Sequence, residues 1–162
     1  MTVIDTTRDA EALTLTLVAQ FAAPPSRVWQ VWADPRQLER WWGPPTWPAT
    51  FVEHDFTVGG RAHYYMTGPD GERSHGWWRF TAIDEPRALT FEDGFADDAG
   101  NPDPTHGTTT AHVSLEEASG GTRMVLTSQF ASTEQMEQMV AMGMVEGIQG
   151  ALGQIDAILA AG

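Results

Sequence analysis

Leu13, Leu15, Leu17, Ala19 and Phe21 alternate with Thr14, Thr16 and Gln20, the two-residue period of a half-buried strand. Strand-like patterns return over Thr50–Phe56, Arg61–Met66, His75–Ile83, Ala88–Phe95, Thr108–Glu117 and Thr122–Phe130. Between them stand turn signals: Gly59-Gly60, Gly68-Pro69-Asp70-Gly71, Glu85-Pro86-Arg87 and Ser119-Gly120-Gly121. Consecutive strands joined by short turns predict an antiparallel meander. Residues 1–11 are polar and are expected to be loose. The stretch Ala96–Gly107 is acidic and rich in proline and glycine, and predicts a solvated, mobile loop.

The period changes to that of a helix in two places. Within Pro24–Pro48, Val28, Val31 and Trp32 share one helical face, and Leu38, Trp41 and Trp42 repeat the spacing. Pro24-Pro25 suits a helix start, Asp34-Pro35 ends the first helix and caps a second, and Gly43-Pro44-Pro45 stops it. Five of the seven tryptophans fall in this stretch, and rings of that size need a broad apolar partner. The second place begins at Ser132-Thr133-Glu134-Gln135, a capping box in which Ser132 caps and Gln135 reaches back. One long helix is expected from there to about Ala160, apolar along Met136, Val140, Met144, Gly147, Ile148, Ala151, Leu152, Ile155, Ile158 and Leu159.

Composition narrows the function. The 162 residues suit a single domain, and no apolar run approaches a membrane span. The first residues lack a basic and an apolar region, so no signal peptide is expected and the cytoplasm is the default location. With no cysteine, disulfides, thiolate catalysis and cysteine metal sites fall away together. The net charge is −13, and all nine basic residues are arginine. Such a chain repels phosphate backbones and anionic lipid, which argues against nucleic-acid and membrane partners. No metal-ligand spacing, nucleophile elbow or phosphate loop is present, so no metal, cofactor or catalytic residue is assigned.

The C-terminal helix carries glycines at 143, 147, 150 and 153, each costing roughly 1 kcal/mol against alanine in a helix interior. For any one of them, close packing is the simpler reading. Together with Met136, Met139 and Met144, which adapt to irregular shapes, they point to a cavity, because a tight core is usually Leu, Ile and Val.

The pattern P..VW..W.DP..L..WWGP, followed by Asp55-Phe56-Thr57-Val58-Gly59-Gly60-Arg61 and Gly68-Pro69-Asp70-Gly71, resembles the bacterial homologues of the activator of heat-shock protein 90 ATPase. These belong to the START-like, or SRPBCC, superfamily with the birch-pollen-allergen fold. The resemblance covers about Leu13 to Ala160. It implies an α+β helix-grip fold: a curved antiparallel sheet of about seven strands wrapped on a long C-terminal helix, with two short helices after the first strand and a cavity between sheet and helix. It implies no single activity, since members bind lipids, hormones or polyketides and some catalyse reactions.

On that frame the expected cavity lining is Trp32, Leu38, Trp41, Trp42, His63, Tyr65, Trp78, Phe80, Phe91, Met136, Val140, Gly143, Met144, Gly147 and Ile148. On Arg61–Met66 either His63 and Tyr65 or Tyr64 and Met66 face inward, and the first pair is favoured. Trp77 is then left facing outward, under the acidic loop or in a dimer surface. Glu53, His54 or Asp55 is expected to pair with Arg61. A small apolar or aromatic ligand is the leading expectation. A co-chaperone acting on a heat-shock protein 90 ATPase is one alternative, weakened because the eukaryotic activator's N-terminal domain is expected to be missing here. A cyclase, hydratase or hydrolase using His63 and Tyr65 is the other. Met142, on the polar arc of the helix, and the outward tryptophan raise a homodimer as a further expectation.

Overall fold

The computed structural model describes residues 3–161. Eight antiparallel strands form one sheet: β1 (Val3–Asp9), β2 (Thr14–Phe21), β3 (Ala49–His54), β4 (Arg61–Thr67), β5 (Arg73–Asp84), β6 (Ala88–Ala96), β7 (Thr108–Ala118) and β8 (Gly121–Gln129). Their order is β1-β2-β8-β7-β6-β5-β4-β3. Six strands run as a meander from β3 to β8, and β2 closes onto β8 in register from Thr14↔Gln129 to Phe21↔Thr122. The eighth strand corrects the expectation of a loose segment over residues 3–9, while residues 1 and 2 lie outside the described residues. β1 is an edge strand, paired on one side only, and needs no apolar alternation to hold its ladder.

Between β2 and β3 lie α1 (Pro25–Ala33) and α2 (Pro35–Leu38). Pro25 occupies the first turn of α1. Asp34 caps α2, accepting from the Arg36 N–H at 2.9 Å and the Gln37 amide at 3.1 Å. α2 is shorter than its periodicity suggests. Beyond Leu38 the chain continues in turns, and the Trp41 indole N–H donates to the Val31 carbonyl at 2.8 Å. That bond draws the ring back onto α1.

The C-terminal helix is three helices, not one: α3 (Thr133–Ala141), α4 (Met144–Leu152) and α5 (Ile155–Ala160). Gly143 makes the first break, with φ at +90°, a left-handed conformation open to glycine and costly for other residues. The second break falls at Gly153-Gln154, where the Gln154 amide donates to the carbonyls of Gly43 at 2.6 Å and Trp41 at 3.3 Å. At the start of α3, Ser132 caps as expected, accepting from the Gln135 N–H at 3.1 Å. The Gln135 side chain does not return to Ser132. Its oxygen accepts from the Ala131 N–H at 2.7 Å, and its amide donates to the carbonyls of His106 and Thr108. The residue ties the helix to the 96–107 segment.

The core lies between the helices and one sheet face. Trp32 is its centre, with ring centroids 4.7 Å from Trp41, 6.1 Å from Phe91 and 6.3 Å from Trp78. Its indole N–H meets the Met124 sulfur at 3.4 Å. Trp78 stacks on Phe91 at 4.2 Å. Such edge and offset contacts add to the area these rings bury. No helix among the described residues is long and apolar enough to cross a membrane.

Candidate functional site

A pocket of about 320 Å³ opens between the sheet and the C-terminal helices. Tyr64 and Met66 of β4, Asp93 and Phe95 of β6, Thr109 and Ala111 of β7, and Leu126 and Ser128 of β8 form its floor. Trp41, Trp42 and Pro44 close one side, and Met139, Met142, Gly143, Met144, Gly147, Ile148 and Ala151 form its roof.

Six of the expected lining residues stand there: Trp41, Trp42, Gly143, Met144, Gly147 and Ile148. Trp32, Leu38, Trp78, Phe80, Phe91 and Met136 lie beneath, in the core with which the pocket is continuous. Val140 is half-buried and apart from the pocket. The four glycines have separate roles. At Gly147 a side chain would meet nothing within 4 Å, and the residue leaves open space at the roof. Gly143 supplies the left-handed turn. Gly150 packs against Pro44 and Pro45, where a Cβ would make ordinary contact at 3.7 Å, and Gly153 belongs to the second break.

His63 and Tyr65 face away from the pocket, which reverses the favoured parity of β4. The reason is size complementarity across the strands. Ala62 stands opposite Trp78 and Tyr64 opposite Gly76, so each large ring on the helix face meets a small partner. On the opposite face, His63 is 8% exposed and its Nε2 lies 3.0 Å from Nδ1 of His75. Burial, and after it the charge of His75, lowers its pKa. Tyr65 carries the Arg73 guanidinium over its ring at 4.3 Å. Trp77 shares this face, its indole lying against Gly94 on the neighbouring strand.

The segment 96–107 folds back over that face. Asp97 accepts from the Ala99 and Asn101 N–H groups, both at 2.9 Å, and Asp103 caps a short 3-10 turn at Pro104–His106. Gly100 lies buried against the His63 ring. Arg61 donates to the Gly100 carbonyl at 2.6 Å rather than pairing with Glu53, His54 or Asp55. His54 instead stacks on Phe56 at 5.5 Å, and burial lowers its pKa.

Met142 is 53% exposed and stands at the pocket rim rather than on a polar helical arc, because the chain turns at Gly143. Among the described residues no cluster of His, Asp or Glu could hold a metal ion.

Asp93 is the residue that sequence reasoning missed. It stands opposite Trp78 on β5 and Thr109 on β7, which sets it on the helix face. Burial raises its carboxyl to about 7, against a partly offsetting hydrogen bond from the Gly94 N–H. Among the described residues no arginine or histidine pairs with it. Its neighbour Tyr64 is raised as well, first by burial and then by the Asp93 charge. The indole N–H groups of Trp42 and Trp78 face the Tyr64 hydroxyl without reaching hydrogen-bond geometry. The signal was present: Leu89, Phe91 and Asp93 share one parity, so an inward Phe91 carries Asp93 inward with it.

Residues 22–160 match the family described as activator of Hsp90 ATPase homolog 1-like protein. The structure is similar to that of an Arthrobacter aurescens protein solved by NMR, with a TM-score of 0.95 and 56% identity over 99% of this chain and 94% of that one. The crystal structure of Ms6760 from Mycobacterium smegmatis aligns with a TM-score of 0.90 and 50% identity, covering 97% and 96% of the two chains. A Rhodobacter sphaeroides protein at 24% identity shares the fold, with a TM-score of 0.82 over 98% of this chain and 97% of that one. No curated protein matches the sequence.

Proposed function

Because the chain belongs to the activator of Hsp90 ATPase homolog 1-like family, whose fold generally encloses hydrophobic ligands, we propose that it binds a small apolar or aromatic molecule between its sheet and its C-terminal helices. The observation that carries this reading is Gly147. It lines the pocket, and the space its side chain would fill is empty. A helix built only for packing gains by placing alanine or leucine there. Methionines at 139, 142 and 144 around it form an adaptable roof, and a mostly apolar concave surface with a few polar groups is the usual form of a small-molecule site.

The enzyme alternative loses its named groups, since His63 and Tyr65 lie on the opposite face. The test of ligand binding is native mass spectrometry of protein purified gently from cells, set against its denatured mass. A reproducible excess mass, lost on denaturation and lost in Gly147→Leu, is the expected result. Undiminished excess mass in Gly147→Leu would move the site elsewhere.

A further inference from the structure

Asp93 gives the pocket a chemical preference. It is the one carboxylate among the lining residues, and no arginine or histidine lines the pocket with it. Tyr64, the other titratable group there, is held neutral by the same burial. The other groups lining the pocket are neutral: the Thr109 and Ser128 hydroxyls on the floor, and the rings of Trp41, Trp42, Tyr64 and Phe95. An uncompensated carboxylate in an apolar cavity is costly and is relieved by a cation. Aromatic faces attract the same partner through their quadrupoles. A net charge of −13 on the chain favours the approach of cations over anions.

We infer that the pocket's occupant is an aromatic or apolar amine, its ammonium group seated against the Asp93 carboxylate and its skeleton under the methionine roof. This rests on the ligand-binding reading above and narrows it to a substrate class. The carboxylate supplies both an acceptor and a countercharge, and the hydroxyl of Thr109, its cross-strand neighbour, accepts from a further ammonium N–H bond. A carboxylic acid of the same shape is disfavoured, because two like charges would share one pocket.

The test is calorimetric titration of the full chain with 2-naphthylmethylamine, 2-naphthylmethanol and 2-naphthoate at pH 7. The amine is expected to bind roughly tenfold or more tightly than the alcohol, with naphthoate weakest. Amine binding should release protons, read from heats in two buffers of different ionisation enthalpy, and its affinity should fall as pH is lowered from 8 to 6. In Asp93→Asn the amine-to-alcohol ratio is expected to collapse toward one and the proton release to vanish. The near-isosteric change retains the fold, checked by circular dichroism. Equal affinities of amine and alcohol in the unmodified protein, or a preference that survives Asp93→Asn, overturn the inference and leave the ligand-binding reading standing. Failure of all three probes to bind overturns both.

Discussion

The Tyr64 ring lies across the backbone of Gly76, its cross-strand partner, so closely that a Cβ on Gly76 would collide with the ring and its hydroxyl. The missing side chain on β5 is what lets a tyrosine lie flat on the floor of the pocket. Gly76→Val should cost about 1–3 kcal/mol by overpacking. Chemical denaturation reads the loss of stability. A weakened near-ultraviolet dichroism of the aromatic cluster should accompany it, and an unchanged midpoint would refute the packing account.

Two glycines about 6 Å of helix apart should respond with opposite signs. Gly147→Ala adds a side chain in open space within a helix, and should stabilise by roughly 0.5–1 kcal/mol. Gly143→Ala forces a Cβ onto a left-handed residue, and should destabilise by about 1–2 kcal/mol. Thermal unfolding of the two single variants separates a continuous helix, in which both substitutions stabilise, from the broken one.

Asp93 links stability to pH. Its folded-state pKa, about 7, is raised above the ordinary value of 3.8. Its contribution is therefore fully present below 3.8 and is lost as pH rises through 7. Asp93→Asn should raise stability at pH 8 by an amount on the order of 2–4 kcal/mol and change it little at pH 4. Melting temperatures of both proteins across that range give the comparison. Parallel curves would mean that the carboxylate is better solvated than its surroundings indicate.

His63 acts in the other direction. Its folded pKa is lowered from 6.5 by burial and by His75, so the folded state resists a proton that the unfolded chain accepts. Its contribution is present above 6.5 and is lost as pH falls below it. His63→Gln should flatten the acid limb of the stability curve and leave stability at pH 8 nearly unchanged. An acid limb as steep as that of the parent would assign the loss to other groups.

Much of the fold is legible in the chain because most of its elements bury one face. Leu15, Leu17, Ala19 and Phe21 alternate because only their face of β2 is covered by the core, while Thr14, Thr16 and Gln20 opposite are half-buried. β1 leaves no such trace, since an edge strand is held by backbone pairing rather than by burial. The α3–α4 break was visible only as a glycine. Gly143, Gly147, Gly150 and Gly153 look alike in sequence, and their left-handed turn, empty space, proline contact and terminal turn are set by tertiary surroundings. The parity of β4 was open because both of its faces are aromatic. The small partners Ala62 and Gly76 decide it, and they speak only once register is known. Asp93 escaped notice because a carboxylate on a strand is ordinarily solvent-facing.

The cover over the pocket is fastened at its two ends. Gln135 ties the start of α3 to the 96–107 segment, and Gln154 ties the α4–α5 junction to the backbone at Trp41 and Gly43. Farther along, the Ile158 carbonyl accepts from Arg27 at 3.0 Å. The span between these anchors is an arch rather than a beam. A straight beam of helix gives only by breaking its ladder of hydrogen bonds, whereas an arch jointed at Gly143 can rise or settle by rotating about a few backbone bonds. With Met139, Met142 and Met144 beside the joint, the headroom of the chamber is set by a glycine turn and by unbranched side chains, and if the proposed ligand binding holds, molecules of unequal girth fit beneath the same two abutments.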